Sequence, residues 1–272
     1  LAPPLTESFK QSVVVDNRAG GATNIGTELV AKAPPDGHTL LVTNSTAVVN
    51  VFLFPKLPFS FQREIAPVSL LATTPLVMIA HPSLPAKTVK ELVALARTRP
   101  GQIVYGSPGI GSPAHIGAEM INQMTGARML HVPYKGGGPL LTDLLGGQIM
   151  VALSGLLTAP QFEKSGKLRV LGHTGGHRLA SWPDMPTIAE GIPGFELVGW
   201  FALFTTGGTP ADTITRLNAE TVRALQLPDI RKRITDSGAQ VIASSARELE
   251  GFVARELDKY SKLVRAANIQ AE

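Results

Sequence analysis

Short β-rich runs alternate with amphipathic helical patterns along almost the whole chain, and this alternation excludes most fold classes. The runs are continuously apolar, which is typical of strands that are buried on both faces. Helices begin at recognisable capping residues, namely Thr88, Thr209 and Ser245. Alternating strands and helices predict an α/β fold with largely parallel sheets. The predicted strands lie at residues 13–15, 39–42, 103–105, 129–132, 150–153 and 168–171.

Two segments interrupt this alternation because they are too long and too β-rich for one ordinary strand. They cover residues 67–80 and 196–206. Two long extended segments on either side of a middle block are what a two-lobed protein with two crossover strands requires. We therefore expect one lobe to contain residues 1–75 and 199–272, and the other to contain residues 76–198. A cleft between two α/β lobes is a common place for a small ligand.

Composition removes several classes of function. The net charge is only +4, and the densest basic run, residues 231–233, lies between Asp229 and Asp236, which favours a solvated helix face over a nucleic-acid patch. The absence of cysteine excludes thiolate catalysis and disulfides. No apolar run has the length that a bilayer requires. Because the sequence begins at Leu1 without a signal-peptide pattern, we expect any export signal to lie outside it.

A glycine loop with two interpretations follows the predicted strand at residues 103–105. Residues 109–114 fit the G-x-G-x-x-A pattern of dinucleotide-binding loops. NAD binding is disfavoured, because the next predicted strand ends at residues 131–135 and carries no aspartate or glutamate that could bind the ribose. The loop is either a tight strand–helix turn or an anion site, in which N–H groups at a helix start attract a carboxylate or phosphate.

Two further polar loops follow predicted strands, one at Tyr134, Lys135 and Gly136 and one at Asn44, Ser45 and Thr46. Loops at the carboxyl ends of strands from both lobes are the usual arrangement for a ligand in an α/β crevice. No catalytic motif is present, and we expect neither a cofactor nor a metal site. His115 is either a packing and capping residue or the base of an α/β enzyme that acts on an acyl or phosphorylated substrate.

Four segments together resemble the Bug family, the extracytoplasmic solute receptors of tripartite tricarboxylate transporters. The resemblance covers essentially the whole chain, and it implies a type II-like periplasmic binding protein without enzymatic activity that closes on a small carboxylate. It also implies membrane permease subunits as partners, no nucleic acid, and a monomer. The segments are VVVDNRAGGATNIGTELVAKAPPDGHTLL, YGSPGIGSPAHIGAE, HVPYKGGGPLLTDLLGGQI and WPDMPTIAE.

The resemblance also implies ligand-binding residues. Two departures from the family accompany it. The sequence starts after the usual first strand and its proline- and glycine-rich loop, so either that segment lies outside the sequence or part of the site is missing, and Ser154 stands where many members carry an acid. Without that acid, a dicarboxylate or a keto or hydroxy acid is favoured over an amino acid. Lys135 is either a ligand-binding residue or a solvated surface residue. The implied ligand-binding residues are Asn44, Ser45, Thr46, Ser107, Gly109, Ile110, Gly111, Ser112, Tyr134, Lys135, Gly136 and Ser154.

Overall fold

The computed structural model describes residues 1–18, 20–155, 159–179, 182–266 and 269. The chain divides into two compact units. The first contains Leu1–Thr73 and Trp200–Val264, and the second contains Thr74–Gly199 and Arg265–Glu272. In the described ranges, no helix is both long enough and apolar enough to cross a membrane.

Helices and strands follow one another in the order that an α/β protein requires. The helices are α1 (Ala2–Phe9), α2 (Asn24–Ala31), α3 (Ser45–Leu53), α4 (Phe61–Glu64), α5 (Val89–Thr98), α6 (Pro113–Thr125), α7 (Gly137–Leu145), α8 (Ala159–Lys164), α9 (Ala211–Gln226), α10 (Pro228–Asp236) and α11 (Ala246–Ala266). The strands are β1 (Leu40–Asn44), β2 (Ile65–Ala80), β3 (Val104–Ser107), β4 (Leu130–Pro133), β5 (Val151–Gly155), β6 (Arg169–His173), β7 (Val198–Thr206) and β8 (Gln240–Val241). Short 3₁₀ turns lie at Gly21–Thr23 and Ile188–Glu190.

The two long β-rich segments are strands, β2 and β7, and two of the three unit boundaries fall in them, while the third falls near the end of α11. The prediction of largely parallel sheets is wrong. Among the named strand pairs of the described residues, those of β3 with β4 and with β5 are parallel, whereas β1 pairs antiparallel with β7, and β2 pairs antiparallel with β5, β6 and β8. An apolar run predicts a buried strand but not the direction of its partners, which depends on which distant segments pair with it.

The predicted strand at residues 13–15 is also wrong. These residues form no strand, and Val14 and Val15 are 79% and 68% exposed. Branched side chains favour a strand only where a neighbouring strand supplies hydrogen bonds and packing. Among the described residues no strand pairs with this segment; the Val13 N–H donates instead to the Thr6 hydroxyl at 3.0 Å.

The core of the first unit includes Val68 and Leu71 of β2, Leu203 of β7, and Leu217 and Leu225 of α9. A buried carboxylate lies elsewhere in this unit: Glu256 of α11 is 6% exposed, accepts a hydrogen bond from Trp200 Nε1 at 2.8 Å and forms an ion pair with Lys259. These contacts satisfy a charge that would otherwise be costly to bury.

In the second unit, β3 lies between β4 and β5, and all three strands run in the same direction. Their carboxyl ends, Ser107, Pro133 and Gly155, therefore lie at one edge of the sheet. Below that edge, Val77 and Ile79 of β2 pack with Leu140 and Leu144 of α7 and with Ile149. This core supports the glycine loop that connects β3 with α6.

Candidate functional site

The glycine loop begins at the carboxyl end of β3 and ends at the first turn of α6. Ser112 is the N-cap of α6, and its hydroxyl accepts a hydrogen bond from the His115 N–H at 3.3 Å. Pro113 follows as the first helical residue, a position where its missing N–H costs nothing. Gly109 and Gly111 have φ values of +150° and +74°, which side chains disfavour, so this turn requires glycine at both positions.

The Ser107 hydroxyl holds the first half of the loop. It contacts the Gly109 carbonyl oxygen at 3.0 Å, the Gly109 nitrogen at 3.3 Å and His131 Nε2 at 2.7 Å. A carbonyl oxygen can only accept, so we assign the single hydroxyl proton to the bond with Gly109 and place a proton on His131 Nε2. The buried serine then makes one donated and two accepted hydrogen bonds.

His115 holds the second half of the loop. The Gly111 N–H donates to His115 Nδ1 at 3.1 Å, so the neutral imidazole carries its proton on Nε2. Its ring stacks on that of His131, with centroids 3.9 Å apart and an interplanar angle of 9°. Burial, and then the neighbouring His131, lower the pKa of His115 to about 3, and burial lowers the pKa of His131 to about 4. Both imidazoles are therefore neutral at pH 7.

Tyr105 extends this stack. Its ring lies 4.9 Å from that of His131, and its hydroxyl donates to Glu119 of α6 at 2.6 Å. Burial, and then the negative charge of Glu119, raise the pKa of the Tyr105 phenol above its ordinary value. The Glu119 carboxylate also accepts from Asn122 Nδ2 at 3.2 Å. The cluster joins β3, β4 and α6 directly beneath the glycine loop.

The loop does not offer all the donors that the sequence predicts. The N–H groups of Gly109 and Gly111 donate to Ser107 and His115, and the Ser112 N–H donates to the Gly109 carbonyl at 3.2 Å. Among the described residues, no acceptor contacts the N–H groups of Ile110 and Ala114. Ala114 is 3% exposed, whereas Ile110 is half-buried, so the Ile110 N–H, rather than those of the glycines, is the donor left for a ligand.

The structure brings the second glycine loop against the first. The Tyr134 N–H donates to the Ser107 carbonyl at 2.9 Å, and the Gly136 N–H donates to the Pro108 carbonyl at 3.1 Å. The Tyr134 hydroxyl donates to Asp143 at 2.7 Å, and burial and this bond raise its pKa to about 12. Lys135 is exposed, and no carboxylate in the described part of the chain lies within ion-pair distance of it.

Ser154 lies near the same edge of the sheet. It belongs to β5, where it pairs with Val77 of β2, and Ala152 two residues earlier pairs with Gly106 of β3. The parallel register of β3 and β5 therefore places Ser154 just beyond the level of Ser107. The structure thus groups the predicted residues of the second unit at one sheet edge.

The predicted residues of the first unit occupy the start of α3. Asn44 is the last residue of β1 and the N-cap of α3, and its side-chain oxygen accepts the Thr46 N–H at 2.9 Å. Ser45 and Thr46 are 0% and 8% exposed. The Ser45 hydroxyl faces the phenol of Tyr260, whose pKa is raised by burial and by the nearby Glu256. Little side-chain surface of Ser45 or Thr46 is open to a ligand.

The sequence does not predict a cluster of buried polar groups that lies beside α3. Asn50 Nδ2 donates to the Ala22 carbonyl at 2.6 Å and to Asn24 Oδ1 at 2.8 Å. Asn50 Oδ1 and Thr23 Oγ1 are buried without a partner among the described residues. Ala22 and Thr23 have φ values of 50° and 74°, which are unusual for residues with a side chain. The glycine pair before Ala22 was the one available signal of an irregular loop there.

The geometry does not support His115 as a general base. Its side chain is 5% exposed, Nδ1 is occupied by the Gly111 N–H, and the ring faces His131. Within the described ranges, no group of three or more histidine, aspartate or glutamate side chains is arranged to hold a metal ion.

Comparison with known proteins gives the family. The profile of the tripartite tricarboxylate transporter family receptor, TctC, matches residues 1–269. The chain is 35% identical over 268 residues to protein BugT of Bordetella pertussis, covering 97% of this chain and 82% of BugT.

Comparison with solved structures also finds receptors of this kind. R. palustris Rpa4515 with adipate superposes with a TM-score of 0.89 at 31% identity, covering 99% of this chain and 91% of that one. The periplasmic binding protein BugD gives 0.86 at 27% identity, covering 100% and 92%. MatC from Rhodopseudomonas palustris with bound malate gives 0.85 at 29% identity, covering 97% and 91%.

The mixed α/β fold is therefore that of the periplasmic binding proteins, and the chain is a solute-binding receptor rather than an enzyme. More narrowly, it belongs to the TctC family of tripartite tricarboxylate transporter receptors, to which the Bug proteins are related.

Proposed function

We propose that this receptor captures a small carboxylate in the periplasm and delivers it to the membrane permease of a tripartite tricarboxylate-type transporter. Membership of the receptor family supports the transport role. Two structural relatives hold adipate and malate, which supports a dicarboxylate as the ligand class. The permease contacts, the periplasmic location and a monomeric state extend this proposal from the same resemblance.

The observation that carries the proposal is the fixed N–H group of Ile110. It has no acceptor in the described part of the chain and lies in a loop that leads directly into α6, a helix of 13 residues. The amino end of such a helix carries a partial positive charge that favours an anion. Lys135 on the adjoining loop adds a full positive charge.

The remaining predicted residues have three different roles in this proposal. Gly109, Gly111, Ser107 and Ser112 shape the loop, because their polar groups are used within it. Asn44, Ser45 and Thr46 are proposed to contact the ligand mainly through the main chain at the start of α3, since their side chains are capped or buried. Tyr134 and Gly136 brace the two loops against each other.

Ser154 contributes to the choice of ligand. An acid at this position would pair with the amino group of an amino acid, and serine carries no such charge. We therefore propose a dicarboxylate or a keto or hydroxy acid as the ligand, in preference to aspartate or glutamate.

Lys135→Gln tests the contribution of the unpaired cation. We expect the Kd for malate or adipate, measured by calorimetry at low salt, to rise about tenfold, because a charge-assisted hydrogen bond is worth roughly 1.5–3 kcal/mol. Stability should be unchanged, since Lys135 is exposed. The matched control is Lys167→Gln, an exposed lysine that precedes β6. Equal effects of the two substitutions would remove Lys135 from the site.

A further inference from the structure

We propose that His115 and His131 are positioning residues, which together fix the two peptide groups on either side of Ile110 so that its N–H stays available to an anion. This inference rests on the proposed function, because it explains how the proposed carboxylate donor is held in place. Neither histidine needs to touch the ligand.

The first peptide group joins Gly109 to Ile110. Its carbonyl oxygen accepts from the Ser107 hydroxyl at 3.0 Å and from the Ser112 N–H at 3.2 Å. The peptide bond is trans, so its N–H points away from its carbonyl. Binding the carbonyl to the buried Ser107 therefore turns the Ile110 N–H away from the interior. His131 Nε2, at 2.7 Å from the Ser107 oxygen, orients the hydroxyl that makes this bond.

The second peptide group joins Ile110 to Gly111. Its N–H donates to His115 Nδ1 at 3.1 Å, and this bond also stabilises the positive φ of Gly111. The main chain of Ile110 is therefore fixed on both sides, by the hydrogen bonds of the Gly109 carbonyl before it and by that of the Gly111 N–H after it. Preorganised donors of this kind bind an anion more tightly, because no ordering of the loop accompanies binding.

Stacking makes the two histidines one unit. Their ring centroids are 3.9 Å apart, and Tyr105 lies on the same stack, 4.9 Å from His131. The ionisable side chains around the pair are Tyr105 of β3 and Glu119 of α6, which are hydrogen-bonded to each other at 2.6 Å. A proton on His115 Nδ1 would remove the acceptor of the Gly111 N–H, so this hydrogen bond requires the neutral form of His115.

Asparagine and glutamine provide a crossed test. An asparagine amide reaches the place of a histidine Nδ1, and a glutamine amide reaches the place of Nε2. His115→Asn keeps an acceptor for Gly111, whereas His115→Gln does not. At His131 the order reverses, because His131→Gln keeps a donor for Ser107 and His131→Asn does not. Asparagine thus preserves the hydrogen bond at position 115 and disrupts it at position 131, and glutamine does the opposite.

Two measurements are made on the wild type and the four variants. The first is the Kd for adipate and for malate. We expect His115→Asn and His131→Gln to stay within about threefold of the wild type, and His115→Gln and His131→Asn to weaken binding about tenfold or more. The second is hydrogen exchange of the Gly111 amide in the ligand-free protein. Its protection should persist in His115→Asn and fall about tenfold in His115→Gln.

The outcomes separate this inference from the proposed function. A merely structural role would make both substitutions at one position equally harmful, and that pattern would overturn the inference, as would wild-type affinity in all four variants. If the wild type binds neither adipate nor malate, the proposed ligand class is wrong. The exchange of the Gly111 amide then still decides whether His115 holds the loop.

Discussion

Unfolding of the wild-type chain between pH 4 and pH 6.5 is expected to be accompanied by the uptake of protons at His115, His131 and His173, since burial also lowers the pKa of His173. The folded state lowers the pKa values of His115 and His131 to about 3 and about 4, whereas an unfolded histidine titrates near 6.5. The unfolded state therefore binds more protons in this window, so stability falls as the pH falls. Each histidine contributes at most about 1.4 kcal/mol per pH unit.

Denaturant unfolding at half-unit pH steps measures this slope, and a double variant provides the control. His115→Asn with His131→Gln keeps the hydrogen bonds and removes these two titrating groups, so the slope between pH 5 and pH 6.5 should fall to the part that His173 contributes. Carboxylates act at lower pH: Arg178 and the Thr187 N–H lower the pKa of Glu190 to about 2, so its contribution is lost mainly below pH 4.5. An unchanged slope in the double variant would contradict the assignment of two buried, neutral histidines.

Gly207→Ala is expected to lower the free energy of unfolding by about 3 kcal/mol or more. A methyl group at this position would lie 2.3 Å from the Arg63 carbonyl oxygen and 2.7 Å from the Glu64 Cα atom. These are main-chain atoms, which no change of rotamer can move aside. The Gly207 N–H also donates to the Glu64 carbonyl at 2.7 Å, so separating the two segments would break this hydrogen bond.

Gly138→Ala is the matched control for the Gly207 variant. A methyl group there meets no atom within 4 Å among the described residues, and the residue lies in the first turn of α7. Alanine favours a helix over glycine, so stability should be equal or slightly higher. Chemical denaturation of both variants makes the comparison, and a Gly207→Ala protein as stable as Gly138→Ala would show that the main chain can relax.

The sequence predicts most of the architecture because hydrophobic pattern and length are local signals. The segments around β2 and β7 stand out by their length alone, and two of the three unit boundaries lie in them. Strand direction was not predictable, since pairing depends on which distant segments meet. Residues 13–15 show the same limit: three consecutive valines predict a strand, but a strand requires a partner that composition does not reveal.

The sequence predicts the candidate site as a loop but does not predict which of its atoms are available to a ligand. The glycine pattern and the N-cap Ser112 are visible in the sequence, and the structure joins this loop to the one at Tyr134. Which N–H groups remain available depends on contacts between residues of different strands, such as Ser107 with His131. No spacing rule connects those residues, so the role proposed for the histidines depends on the three-dimensional structure.

The central claim is that the receptor binds a small carboxylate, and thermal melting of refolded, ligand-stripped protein tests it most directly. The panel contains malate, adipate, succinate, citrate, 2-oxo acids, aspartate, glutamate, NAD and ATP. A ligand at about a thousand times its Kd stabilises by roughly 4 kcal/mol, which raises the Tm of a chain of this size by on the order of 10 °C. We predict such a shift with a dicarboxylate or a keto or hydroxy acid and none with the nucleotides. Stabilisation by NAD or ATP alone would contradict the account and return the Gly109–Ala114 pattern to its dinucleotide interpretation.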